Sequence, residues 1–159
     1  MEKHDIQEVL YILKQLALVS AAVEQVCDDI LYPKSLPMGR IMNYRYLCLD
    51  LYLWHGYLDR LYQTDKKDFA CKLLQEFRQQ ICKKSGKIEN LRNCATHYQA
   101  NCDMDIMIGT KNDSKFYLSE YLPTYSEIKK YFSSWETQVI SLIADIQHDL
   151  TSYNPCATE

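Results

Sequence analysis

"LCLDLYLWHGYLDRL", Leu47 to Leu61, is the stretch that decides the fold class. Leu47, Leu51, Trp54, Leu58 and Leu61 recur at alternating steps of four and three, which draws one stripe along an α-helix and breaks the two-residue alternation of a half-buried strand. Tyr44, Tyr46, Tyr52, Leu53 and Tyr57 widen that stripe until the helix is apolar almost all round. A helix of this kind is buried or sits in an interface.

The same period extends in both directions. Toward the N-terminus, Val9, Ile12, Leu16, Val19, Val23, Val26 and Ile30 predict a long first helix, despite the helix-disfavouring β-branched residues among them. "YPKSLP" at 32–37 ends it, with Pro33 and Pro37 as punctuation. Toward the C-terminus, Phe69, Leu73, Phe77 and Ile81 predict a third helix, broken near "KKSGK" because Gly86 is a poor helix-interior residue. Ile88, Leu91, Ala95 and Tyr98 form the stripe of a short fourth helix. The period then lapses in "DIMIGTKNDSKFYLSEYLPTYS", where two short apolar runs flank "KNDS". That segment is a small hairpin or an irregular excursion. Ile128, Phe132, Trp135, Val139, Leu142 and Ile146 define the last helix, with Thr124 or Ser126 as its N-cap. The expected fold is all-α: one domain over 1–159, a four- to five-helix antiparallel bundle with that excursion before the last helix.

Composition agrees with a compact soluble domain. The 159 residues suffice for one core, four Gly and four Pro argue against a fibrous or disordered chain, and charged residues are 25%. The seven cysteines are an odd number without a CxxC pair or a leader ahead of them, so reduced thiols in a cytoplasm are expected. Charges interrupt the apolar runs before the ~20 residues of a membrane span, and no membrane partner is expected. A net charge of -3 argues against a general nucleic-acid coat and leaves room only for a local basic patch.

That patch exists. Lys83, Lys84 and Lys87 stand just ahead of "ENLRNCATHYQ" at 89–99. On a helical wheel with Ile88 at zero, the apolar stripe of this segment centres near ~320°, Asn93 falls at ~140° and His97 at ~180°, with Arg92 on the flank at ~40°. Asn93 and His97 thus share the face turned away from the core. A solvated polar face is the plain reading of that pair, and the lysines equally suit a helix end. The sharper reading takes Arg, Asn and His together. Cys94, His97 and Cys102 lack a fourth ligand at zinc spacing, so no metal and no cofactor are expected. His4, His55 and His148 have no companion motif.

Arg92, Asn93 and His97 in "LRNCATH" resemble the R-(N/D/H)-x3-H signature of the HEPN superfamily, and the helix order of most of the chain fits it. The resemblance implies a helical domain that forms a homodimer in which two motifs face one cleft. It further implies a metal-independent endoribonuclease of a toxin–antitoxin or antiviral defence system, with RNA as substrate and an antitoxin or defence protein as partner. In it, His97 acts on the ribose 2'-hydroxyl or the leaving oxygen, Arg92 stabilises phosphate charge, and Asn93 orients one or the other. Lys83, Lys84 and Lys87 would attract the RNA backbone. One departure concerns a subtype whose tyrosine lies two residues past the histidine: Gln99 holds that place here, while Tyr98 belongs to the apolar stripe. The residues also admit a different class of function, a non-catalytic dimerisation or interaction module working through the Tyr-rich second helix.

Overall fold

The computed structural model describes residues 3–32, 37–82, 107–111, 114–117 and 122–153. Four helices and one two-stranded hairpin lie among them. α1 spans Lys3–Leu31, α2 Pro37–Tyr62, α3 Lys67–Gln80, β1 Met107–Lys111, β2 Ser114–Tyr117 and α4 Tyr125–Tyr153. The class is all-α, and the excursion before the last helix contains an antiparallel hairpin, with Thr110 opposite Lys115 and an irregularity in register between Met107 and Thr110. The expected short helix around 88–98 lies outside the described residues.

Cross-helix contacts fix the directions. Glu8 near the start of α1 meets Arg60 near the end of α2 at 3.2 Å, so these two helices run antiparallel. Asp28 late in α1 pairs with Lys129 early in α4, which reverses direction again. Lys72 of α3 donates to Gln138 of α4 at 3.0 Å, and Glu76 accepts at 2.8 Å from the indole Nε1 of Trp135, so α3 is antiparallel to α4. The bundle alternates up, down, up, down.

Local chemistry places the helix ends. Pro37 opens α2, where its missing N–H leaves no intrahelical bond unmade and its fixed φ suits the first turn. Between α2 and α3, Thr64 donates its hydroxyl to the Leu61 carbonyl at 2.6 Å and accepts from the Lys66 N–H at 3.2 Å, which reverses the chain in a few residues. Of the two expected caps on α4, Thr124 is the one that accepts, from the Glu127 N–H at 3.2 Å.

The core is centred on rings from three helices. Trp54 stacks near-parallel on Trp135 with centroids 5.8 Å apart, and Phe132 meets Trp54 at 5.1 Å and Trp135 at 4.9 Å edge to face. Phe77 of α3 closes the group at 6.1 Å from Trp135. Edge-to-face and offset geometries suit the ring quadrupoles and add to the gain from burial. Every member of the Leu47–Leu61 stripe is wholly buried. α1 buries Val9, Ile12, Leu13, Leu16, Val23 and Cys27, and its buried Ser20 is satisfied by the Leu16 carbonyl at 2.9 Å.

Two expectations change. Val26, Ile30, Leu142 and Ile146 pack against the core only in part. For the pair on α4 the cause is the length of α3: Lys72 is level with Gln138, so α3 begins within about two turns of that height and leaves the end of α4 uncovered on that side. The second change concerns α1. Its Asp5–Leu31 span is long and apolar enough, by length and composition, to cross a membrane, contrary to the expectation that charges interrupt it too often. In this structure its apolar stripe packs on α2 and α4.

Candidate functional site

All six residues singled out in the sequence, Lys83, Lys84, Lys87, Arg92, Asn93 and His97, lie outside the described residues. What is described is the element that delivers them. α3 ends with Ile81 and Cys82 buried, and both backbone N–H groups donate to the Phe77 carbonyl, at 2.8 and 3.1 Å. Lys83 is therefore the next residue after an anchored helix end, nine positions before Arg92.

Among the described residues, polar side chains gather along the seam of α1 and α4. Glu24, Ser126, Lys129, Lys130, Ser133, Ser134 and Thr137 line an open groove of about 460 Å³. Lys129 is committed to Asp28. A hydrogen bond with Glu24 raises the Glu136 carboxyl to about 7, helped by partial burial and by the Glu24 charge. Two carboxyl groups this close share a proton more readily than they both ionise. Beside them Cys27 is buried, and loss of solvation, reinforced by the Asp28 charge, pushes its thiol up to about 12. It stays protonated at neutral pH and is no nucleophile.

On the opposite flank of α1, Asp50 of α2 is half-buried, and burial raises its carboxyl to about 6. His55 lies against Phe77 at 5.7 Å with Nδ1 3.3 Å from Asp59, which makes it a packed histidine at the α2–α3 contact. Among the described residues no three His, Cys, Asp or Glu side chains are grouped to hold a metal ion, and Cys27 and Cys71 are free thiols.

The groove has hydroxyls, two lysines and the Glu24 carboxylate, but among the described residues no histidine lines it to move a proton to or from a sugar hydroxyl. Sequence reasoning missed the Glu24–Glu136 pair. Each residue flanks an apolar stripe on its own helix, which signals the edge of a seam, but a wheel cannot say which helix lies across it. No family model, no curated protein and no solved structure matches this chain.

Proposed function

We propose that this protein is a metal-independent endoribonuclease of the HEPN kind, acting in a toxin or defence system. The observation that carries the reading is the Arg92-Asn93-x3-His97 spacing directly after a basic run. An all-helical bundle, and a third helix whose buried end leads into Lys83, agree with it.

RNA carries its own nucleophile. The 2'-oxygen bonds to phosphorus as the bond to the 5'-oxygen breaks, and the proton leaving the first oxygen is balanced by one delivered to the second. A histidine near its ordinary pKa can move that proton, and a guanidinium fixed at the phosphate stabilises the extra charge of the pentacoordinate state. His97 and Arg92 take these parts, Asn93 orients them, and Lys83, Lys84 and Lys87 hold the backbone. The products are a 2',3'-cyclic phosphate and a 5'-hydroxyl. In the test, purified full-length chain is incubated with total RNA in EDTA beside His97→Ala and Arg92→Ala. Cleavage is expected from the unaltered chain, with a loss of about 100-fold or more in each variant. Equal cleavage by folded variants, or none by the unaltered chain, overturns the assignment.

A second reading, a non-catalytic helical interaction module, is favoured by four large apolar side chains exposed on α1 and α2: Tyr11, Leu18, Tyr46 and Leu53. It predicts that His97→Ala is silent in the cell while a charge placed on α2 at Tyr57 or Leu53 is not.

A further inference from the structure

We draw no further inference here: the strongest candidate, the open groove along the α1–α4 seam, carries nothing, because the Ser126, Lys130, Ser133, Ser134 and Thr137 side chains that line it are exposed along a single helix and nothing in the structure shows what would occupy it.

Discussion

The two flanks of α1 are built by opposite rules. Toward α4 the seam is edged with polar groups: Asp28 pairs with Lys129, and a hydrogen bond with Glu24 raises the Glu136 carboxyl. Toward α2 the edge carries Tyr11, Leu18, Tyr46 and Leu53, about half in solvent, with the Glu8–Arg60 pair at one end and a half-buried carboxyl at Asp50. A polar edge closes a seam against water, since its groups satisfy each other or the solvent. An apolar edge leaves favourable burial unused. The contrast separates a seam edged with paired polar groups from one whose edge leaves apolar side chains about half in solvent.

Both seams depend on one centre, and the largest expected effect comes from removing it. Trp135→Ala takes away the rings facing Trp54, Phe77 and Phe132 and leaves the half-buried Glu76 carboxylate without its indole donor. A loss of about 3–5 kcal/mol is expected in urea unfolding, enough to erase the difference between the two flanks by loosening both. A loss under about 1 kcal/mol would mean that the centre is not shared.

The next effect belongs to the apolar flank alone. Burial raises the Asp50 carboxyl from 3.8 to about 6, so the folded chain holds this proton more tightly than the unfolded one. Stability is therefore lost as pH rises from about 4 through 6, and above that the ionised group is a standing cost. Asp50→Asn is expected to stabilise dilute protein at pH 7 by about 1–2 kcal/mol, discounted for its partial exposure, and to leave stability at pH 4 almost unchanged. Destabilisation at pH 7 would show that Asp50 has a cationic partner after all.

How much of this was legible in the sequence depends on how many helices a feature needs. The Leu47–Leu61 stripe is a property of one helix and is buried at every position. The hairpin was visible as a lapse in period around "KNDS", and the α4 cap as Thr124 or Ser126, between which only the structure chooses. The Tyr-rich second helix read as buried or interfacial, and the structure divides its tyrosines, Tyr44 going inward while Tyr46 stays about half exposed. Features that need two helices were invisible: the Glu24–Glu136 and Asp28–Lys129 pairs, and the indole of Trp135 on Glu76, join residues far apart in sequence whose adjacency is set by packing. The Arg92-Asn93-His97 wheel stands on sequence alone, since those residues lie outside the described ones.

The smallest effect tests the polar flank. In the folded chain Glu136 keeps a proton to about pH 7 because Glu24 accepts the hydrogen bond, whereas unfolded it loses that proton near 4.5. Between those values the folded state binds more protons than the unfolded, so stability falls as pH rises through the window and levels off above about 7. Glu24→Gln replaces the acceptor with an uncharged amide that can still hydrogen-bond and removes the repulsion that appears when both groups ionise. Melting temperatures followed from pH 5 to 8 are expected to lose most of the slope that this pair contributes. The variant should be more stable than the unaltered chain at pH 8 by about 0.5 kcal/mol, a small figure because solvent screens the pair. Glu136→Gln, which removes the raised carboxyl itself, should behave alike. If Glu24→Gln leaves the pH profile unchanged, the two carboxyls titrate independently, and the polar flank of α1 is held by Asp28 and Lys129 without them.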